Sequence, residues 1–264
     1  MQTLLVDIGN TRTKWRAVDV AAGFAKGDPG GAAPLGEHAA LARDWRDQKP
    51  ASVWIANVAK PEELAALRAV LEDEHPSAQV FVLVPKQQEA GVINCYPEPA
   101  RLGADRWAAL IGARALYPGR NVLLTSLGTA TTIDVLRDDG HFAGGVILPG
   151  IALMRHALAH NTAGLPLAQG RYRALAQGTD DAIDSGILHA QAGAIERVLR
   201  DTGLMAGDSG PGGGVAGEAV CLLTGGDAAL VLPLLPFSAV IADNLVLRGL
   251  LVVAREGHSS RVET

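Results

Sequence analysis

A repeated segment constrains the fold of this 264-residue chain more than any other feature of the sequence. The stretch LLVDIGNTRTKWRAV at residues 4–18 aligns with LLTSLGTATTIDVLR at residues 123–137, an offset of 119 residues. Gly9 and Gly128 coincide, and each stretch has the pattern of a strand, a tight polar turn and a second strand. Because the pattern recurs at the same place in two halves of similar length, we interpret the chain as a duplication that divides near residue 119.

The remaining pattern of apolar residues predicts an α/β chain. Strands are predicted at residues 4–8, 14–20, 53–58, 80–84, 121–127, 131–137, 142–148 and 220–224. Helices are predicted at residues 61–74, 102–116, from after Pro149-Gly150 to about 160, at 180–204 and at 238–255. The glycine-rich segments 21–36 and 208–217 are predicted to be loops.

Charge and composition exclude several classes of protein. The chain carries 23 Lys and Arg against 28 Asp and Glu, a formal net charge of -5, so it lacks the positive charge that nucleic-acid binding requires. No lysine stands in a Gly-Lys-Ser/Thr setting, which excludes a Walker-type nucleotide site. The most apolar window, residues 220–242, is interrupted by Gly225-Gly226, Pro233 and Pro236, and we expect no membrane span.

The cysteines and the first residues indicate a cytoplasmic protein. Cys95 and Cys221 are the two cysteines of the chain, and their separation predicts reduced thiols rather than a metal site or a disulfide framework. The first ten residues have no basic region followed by a long apolar run, so we expect no signal peptide.

The two repeated turns carry the residue types that bind phosphates. Successive backbone N–H groups in a tight turn form an anion-binding nest, and Gly9 lets the backbone approach a phosphate closely. Asp7 ends the first strand, where one carboxylate can hold a hydrated Mg²⁺. Gly128 and Thr129 occupy the corresponding turn of the second half. One such turn alone is better explained as an ordinary hairpin with Asn-Thr turn chemistry, whereas the pair favours a nucleotide site.

The pair of turns resembles the phosphate loops of the actin-like ATPase and sugar-kinase superfamily, whose two halves clasp ATP. Four motifs in register, which resemble the type III pantothenate kinase family, are Asp7–Thr11, Leu102–Arg106, Gly128–Asp134 and Gly144–Gly150. The resemblance extends from residue 4 to about residue 190, with a weaker match at 224–227. It implies two duplicated actin-like (ribonuclease H-like) α/β domains, residues 1–119 and 120–264, with mixed central sheets and an ATP cleft between them.

The same resemblance implies a function and its residues. The expected reaction is phosphorylation of pantothenate to 4'-phosphopantothenate by ATP and Mg²⁺, the first step of coenzyme A biosynthesis, with Asp105 as the general base. Asp7 is expected to hold Mg²⁺ through water. The residues expected to bind ATP are Asp7, Gly9, Asn10, Thr11, Arg12, Thr13, Lys14 and Thr129. The residues expected to bind pantothenate are Tyr96, Gly103, Ala104, Asp105, Arg106 and Thr179, the last one across the interface of a homodimer.

Structural alternatives remain open for these residues. Asp105 is also suited to stabilising the start of a helix, and Arg106 to a surface ion pair. Tyr96 is also suited to anchoring a loop, and Thr179 to capping the helix predicted at 180–204. Two other functions also remain open: a different small-molecule kinase of the superfamily, acting on a sugar or acetate, and a nucleotide-binding regulatory accessory protein without kinase activity.

The chain departs from the family pattern at Ser126. Many family members have an aspartate there, which binds a monovalent cation such as K⁺ or NH₄⁺. A neutral hydroxyl is a weaker ligand for a hard cation than a carboxylate. We therefore expect activity that does not depend on K⁺.

Overall fold

The structure is a computed structural model that describes residues 1–204 and 219–262. The predicted loop at 208–217 lies outside the described residues. The chain divides into two compact units. Unit 1 joins Met1–Leu116 to the segment that begins at Asn244, and unit 2 comprises Tyr117–Asp243.

The described residues alternate between strands and helices, as the sequence predicts. The strands are β1 (Gln2–Ile8), β2 (Arg12–Asp19), β3 (Gly30–Pro34), β4 (Ser52–Asn57), β5 (Gln79–Val82), β6 (Gln88–Glu89), β7 (Val92–Asn94), β8 (Val122–Leu127), β9 (Ala130–Leu136), β10 (His141–Pro149), β11 (Val220–Thr224) and β12 (Val240–Ile241). The helices are α1 (His38–Trp45), α2 (Pro61–Glu74), α3 (Ala104–Leu116), α4 (Ile151–Asn161), α5 (Thr179–Asp201), α6 (Ala228–Val231) and α7 (Leu245–Val262).

Unit 1 is built on a mixed sheet with the strand order β3-β2-β1-β4-β5. β1, β2 and β3 form an antiparallel meander, while β4 and β5 continue the sheet parallel to β1. Alternate residues of β1, such as Leu4 and Val6, are fully buried in an apolar cluster with residues of α1 and α2. Trp15 and Trp45 meet edge to face in this cluster, with ring centroids 6.3 Å apart.

Unit 2 repeats this plan. Its strands follow the order β10-β9-β8-β11-β12, in which β8 to β10 form an antiparallel meander and β11 and β12 continue parallel to β8. One apolar cluster joins β9 to α5, with Ile133, Ile187 and Ile195 all buried. These five strands therefore have the same order and the same directions as the five strands of the sheet in unit 1.

The C-terminal helix α7 belongs to unit 1, which differs from the predicted boundary that placed it in the second half. It packs against α3, and two glycines permit the close approach. A Cβ on Gly112 would lie 2.5 Å from the carbonyl oxygen of Leu245, and a Cβ on Gly249 would overlap the carbonyl oxygen of Ala108. The apolar face of α7 is buried here because α3, β1 and β4 leave a matching face to cover.

Most predicted elements are confirmed, and two predictions are wrong. β3 forms within residues 21–36, which were predicted to be a loop. β12 lies within the helix predicted at 238–255, so α7 begins only at Leu245. The helix predicted at 180–204 is confirmed as α5, which ends three residues earlier, at Asp201. Within the ranges that the structure describes, none of the helices combines enough length with enough apolar character to cross a membrane.

Candidate active site

The first predicted phosphate loop is a tight turn between β1 and β2. The Gly9 N–H donates a hydrogen bond to the Arg12 carbonyl oxygen at 3.1 Å, and a Cβ on Gly9 would lie 3.3 Å from that oxygen. The side chains of Asn10, Thr11 and Arg12 are exposed at the tip of the turn. Thr13 is only 3% exposed, so its side chain is less accessible to a ligand than those of the tip.

Asp7 lies at the base of this loop, opposite Lys14 in the β1–β2 register. The pKa of Asp7 is raised from 3.8 to about 7, and burial of the carboxyl group is the largest cause. The negative charge of Asp105 contributes to this rise, while the Lys14 ammonium group opposes it. The fold thus brings Asp7, Lys14 and Asp105 within electrostatic range of one another.

Asp105 lies in the first turn of α3, as the sequence predicts. Its Oδ1 accepts a hydrogen bond from the Arg106 N–H at 2.7 Å. Gly103 makes room for this carboxylate, because a Cβ at that position would lie 2.7 Å from the same oxygen. Burial raises the pKa of Asp105, whereas the Arg106 N–H and the Arg106 charge hold it down.

Tyr96 and Arg106 form a pair beside Asp105. The Arg106 Nη1 donates to the Tyr96 hydroxyl at 3.1 Å, and the guanidinium carbon is 5.9 Å from the centre of the tyrosine ring. Arg106 is 7% exposed, so it is not the surface residue that the alternative interpretation requires. Ala104, the first residue of α3, is buried at 7% exposure and offers its backbone rather than its side chain.

In unit 2 the second predicted loop, Gly128-Thr129, is enclosed by glycines from two other segments. The Gly150 N–H donates to the Thr129 carbonyl oxygen at 3.0 Å, and a Cβ on Gly150 would overlap the Gly128 carbonyl oxygen. Gly225 has a positive φ of 99°, and a Cβ there would overlap the Leu127 carbonyl oxygen. Sequence reasoning gave Gly150 and Gly225 no role. The signal was present, since each lies beside a proline or a second glycine at the end of a strand.

Asp227 follows this glycine turn and is connected electrostatically to α4. Burial raises the pKa of Asp227, and the nearby Arg155 charge holds it down. Arg155 itself is bound to the buried Asp184 of α5, with Nε and Nη2 each 2.8 Å from Oδ1. Electrostatic interactions therefore connect the turn after β11 to Arg155 of α4 and, through Arg155, to Asp184 of α5.

Thr179 is the first residue of α5 and is exposed. The cap position is taken by Gly178 and has no side-chain cap bond, so Thr179 does not cap the helix. Thr179 lies at the edge of an apolar groove of about 670 Å³ between α4 and α5, which Met154, Leu158 and Ile183 also line.

Ser126 lies at the end of β8, between Thr132 and Thr224 of the neighbouring strands in the sheet register. Its side chain is half-buried. All three positions carry a hydroxyl side chain, and none of the three carries a carboxylate.

The folds of the two units and their turns define a class of protein. The chain has the actin-like ATPase and sugar-kinase fold, as its similarity to solved structures indicates. A Sinorhizobium meliloti protein assigned as a 2-dehydro-3-deoxygalactonokinase has a TM-score of 0.55 at 16% identity, covering 97% of this chain and 99% of that one. The activator of the 2-hydroxyisocaproyl-CoA dehydratase from Clostridium difficile, with bound ADPNP, has a TM-score of 0.53 at 11% identity, covering 100% of this chain and 98% of that one.

Within that class, the chain belongs to the type III pantothenate kinase family. The model of that family matches residues 3–201. A type III pantothenate kinase from Aromatoleum aromaticum is 46% identical over 257 residues, which cover 96% of this chain and 98% of the relative.

Proposed function

We propose that this chain transfers the γ-phosphoryl group of ATP to the primary hydroxyl of pantothenate, the first step of coenzyme A biosynthesis in the cytoplasm. Family membership and the name of the Aromatoleum relative support the reaction. The observation that carries the proposal is the cluster in unit 1, where Asp105 lies within electrostatic range of Asp7 and beside Arg106. The prediction that ATP lies in a cleft between the two halves stays a prediction.

Asp105 is proposed to accept the proton of the attacking hydroxyl. A general base works best when its pKa lies closer to the working pH, and burial raises the pKa of Asp105 in that direction. The Arg106 N–H keeps the carboxylate in one orientation at the start of α3. The proton moves to Asp105 as the hydroxyl oxygen forms its bond to phosphorus and the bond to ADP breaks.

The residues of unit 1 fit a Mg²⁺ ion held by Asp7. The negative charge of Asp105 raises the proton affinity of Asp7, and a bound cation would offset that charge. Mg²⁺ commonly takes one or two carboxylates, with phosphate and water completing its shell. When bound, the ion offsets negative charge on the phosphates.

The two loops are proposed to hold the phosphates of ATP. In the first loop, the turn at Gly9 and the exposed side chains of Asn10, Thr11 and Arg12 offer donors, and Lys14 adds positive charge. Thr13 is the least accessible of the residues proposed to bind ATP, because its side chain is buried and its backbone lies in β2 between β1 and β3. In the second loop, the Gly128 N–H donates to the Ala130 carbonyl oxygen at 3.2 Å, so the half-buried Thr129 is proposed to contact the phosphates there.

On the acceptor side, Arg106 is proposed to bind the pantothenate carboxylate, since a guanidinium group forms paired hydrogen bonds with a carboxylate. A hydrogen bond holds Tyr96 beside Arg106, and Tyr96 is proposed to contact the same pantothenate molecule. The backbone of Gly103 and Ala104 is proposed to line the path of pantothenate to Asp105. Thr179 is proposed to reach pantothenate from the partner in a homodimer. The exposed position of Thr179 at the edge of an apolar groove supports that arrangement.

A coupled assay of ADP release tests the proposed function. We expect ADP release that requires pantothenate and that hexoses or acetate do not replace. Mass spectrometry should identify the product as 4'-phosphopantothenate. Equal ADP release with and without pantothenate, or a clear preference for another acceptor, would contradict the proposal.

A further inference from the structure

We infer that Asn94 is a positioning residue for the acceptor side of the site, acting through the loop that carries Tyr96. The inference rests on the proposed function, because it concerns the pair of Tyr96 and Arg106 that is proposed to bind pantothenate. Sequence analysis assigned Asn94 no role.

The Asn94 side chain ties together both ends of the loop at residues 95–99. Asn94 ends β7 and is fully buried, with an exposure of 0%. Its Oδ1 accepts a hydrogen bond from the Tyr96 N–H at 3.1 Å, and its Nδ2 donates to the Pro99 carbonyl oxygen at 3.3 Å. One amide therefore supplies the acceptor for one end of the loop and the donor for the other.

The backbone of Asn94 is itself fixed by the hairpin of β6 and β7. The Asn94 N–H donates to the Gln87 carbonyl oxygen at 2.9 Å, and the Gln87 side-chain amide donates back to the Asn94 carbonyl oxygen at 2.5 Å. Glu89 of the same hairpin accepts a hydrogen bond from the Trp107 Nε1 at 3.1 Å. Since Trp107 is a fully buried residue of α3, the hairpin and Asn94 are held at a fixed place relative to that helix.

The same helix carries Arg106, so the shape of the loop decides whether Tyr96 reaches it. Arg106 donates to the Tyr96 hydroxyl at 3.1 Å, a distance that a small displacement of the loop would lengthen beyond hydrogen-bonding range. Truncating Asn94 removes the side-chain partner of both the Tyr96 N–H and the Pro99 carbonyl oxygen. We expect the loop to loosen and the pair to lose its fixed geometry.

Cys95 lies in this loop and can serve as a chemical probe of the loop's conformation. Cys95 is exposed and Cys221 is buried, and the chain has 2 cysteines. The rate at which Cys95 reacts with 5,5'-dithiobis(2-nitrobenzoate) therefore reports on the loop. We expect Asn94→Ala to raise that rate several-fold without exposing Cys221. The matched control is Asn161→Ala, since Asn161 is an exposed asparagine whose Nδ2 donates to one backbone carbonyl, that of Ala157.

Steady-state kinetics separate positioning from general damage to the fold. We expect Asn94→Ala to lower kcat/KM for pantothenate by about tenfold or more, because misplaced binding groups lose much of their effect. The KM for ATP should stay within about twofold of the wild-type value. Asn94→Ser keeps an acceptor for the Tyr96 N–H but not the bond to Pro99. Its kcat/KM for pantothenate should lie between those of the wild-type protein and Asn94→Ala. In the Asn94→Ala background, Tyr96→Phe should cost less than it does in the wild-type protein.

Two results would overturn the inference. One is an Asn94 variant with wild-type Cys95 reactivity and wild-type kcat/KM for pantothenate. The other is an equal loss for ATP and pantothenate with no change at Cys95. If Asn94→Ala does not fold, Asn94→Ser carries the same test. If the wild-type protein does not phosphorylate pantothenate, the proposed function fails on its own, and the Cys95 rates still decide whether Asn94 fixes the loop.

Discussion

At the scale of single residues, burial and the charges around Asp7 determine the protonation state of its carboxyl group. Burial and Asp105 favour the protonated carboxyl group, while Lys14 favours the carboxylate, and the result is a pKa of about 7. Near neutral pH the group is therefore divided between its two forms. A cation that binds there shifts it to the carboxylate, so metal binding is expected to release protons.

The first prediction concerns Asp105. Asp105→Asn keeps the shape of the side chain but removes the proton acceptor, so kcat should fall by about 10²–10⁴. The KM for ATP should change little, because the proposed role of Asp105 is on the acceptor side. ADP release measured over a range of pantothenate concentrations checks both values.

Asp47→Asn is the matched control for this variant, because Asp47 is an exposed aspartate just after α1. It should retain the wild-type kcat. Near wild-type turnover in Asp105→Asn itself would remove Asp105 from the role of general base.

The second prediction concerns the stability of the fold and pH. Since the folded-state pKa of Asp7 lies above 3.8, folded Asp7 keeps its proton at pH values where the unfolded chain has lost it. The contribution of Asp7 to the free energy of unfolding therefore falls as pH rises from about 4 to about 7, and then levels off. Asp7→Asn removes this dependence. Its stability relative to wild type should rise across that window, by at most roughly 4 kcal/mol.

Urea denaturation at several pH values, without nucleotide or divalent metal, measures this difference. Asp47→Asn, at an exposed site, should show a small difference that does not grow over the same window. A stability difference for Asp7→Asn that is constant between pH 4.5 and 8 would contradict the assignment.

The third prediction concerns Ser126. The half-buried hydroxyl is a poor replacement for a carboxylate as a ligand for K⁺, so rates in sodium and potassium buffers should agree within about twofold. Ser126→Asp should introduce stimulation by K⁺. A steep requirement for K⁺ in the wild-type protein would show that other ligands hold the ion.

At the scale of elements, α3 and α7 of unit 1 pack with their backbones close together. Gly112 and Gly249 each face the backbone of the other helix, with no space for a methyl group. Because Asp105 and Arg106 lie in the first turn of α3, this contact also supports the site.

The fourth prediction follows from that contact. Gly249→Ala should lower the free energy of unfolding by about 3 kcal/mol or more, since the new methyl group meets backbone that cannot move aside. Gly193→Ala in α5 is the matched control, because Gly193 is exposed and its added Cβ has open space. It should raise stability by up to about 1 kcal/mol through helix propensity. Equal effects of the two changes in chemical denaturation would contradict this account of the packing.

Local sequence predicted the elements whose side chains carry a pattern. A short apolar run from Leu4 to Ile8 indicated β1, and Pro61 with a periodic apolar face indicated α2. β3 escaped because Gly30–Pro34 pairs with β2 through its backbone and has no apolar pattern. β12 escaped because its two residues form a strand only beside β11, where Val240 is paired with Leu222.

The residues of the candidate site that stand in sequence motifs were predictable. The contacts that depend on tertiary packing were less predictable. Asp7 and Asp105 stand in recognisable motifs, and the fold brings them within electrostatic range. The raised pKa of Asp7 depends on burial and on a residue almost one hundred positions away, which no local pattern encodes. The clamp formed by Asn94 and the close approach of Gly150 to the second loop likewise depend on tertiary contacts.

At the scale of the whole molecule, unit 1 is discontinuous in sequence. Its sheet comes from the first 116 residues, whereas α7 comes from a segment that follows unit 2. The apolar residues of α7 that are almost fully buried are Leu245, Leu247, Leu250, Leu251, Val253 and Ala254. At about 1.5–3 kcal/mol for each large side chain, their burial is comparable with the 5–15 kcal/mol that stabilises a typical domain.

The fifth prediction is that a chain ending at Asp243 cannot complete unit 1. All 4 tryptophans lie in that unit, at positions 15, 45, 54 and 107, so their fluorescence reports on it alone. The shortened chain should show red-shifted tryptophan emission and no cooperative transition by this signal. Emission and a transition like those of the full chain would mean that α7 is dispensable.

The placement of α7 also sets a timetable for synthesis on the ribosome. The 127 residues from Tyr117 to Asp243 are translated between the two parts of unit 1. At translation speeds of 5–20 residues per second this takes roughly 6 to 25 s. During that interval the apolar surface that α7 covers in unit 1 stays exposed on the nascent chain. Such a surface is a target for chaperones. The later-made half is therefore the one that can mature first, which reverses the usual order from N-terminus to C-terminus.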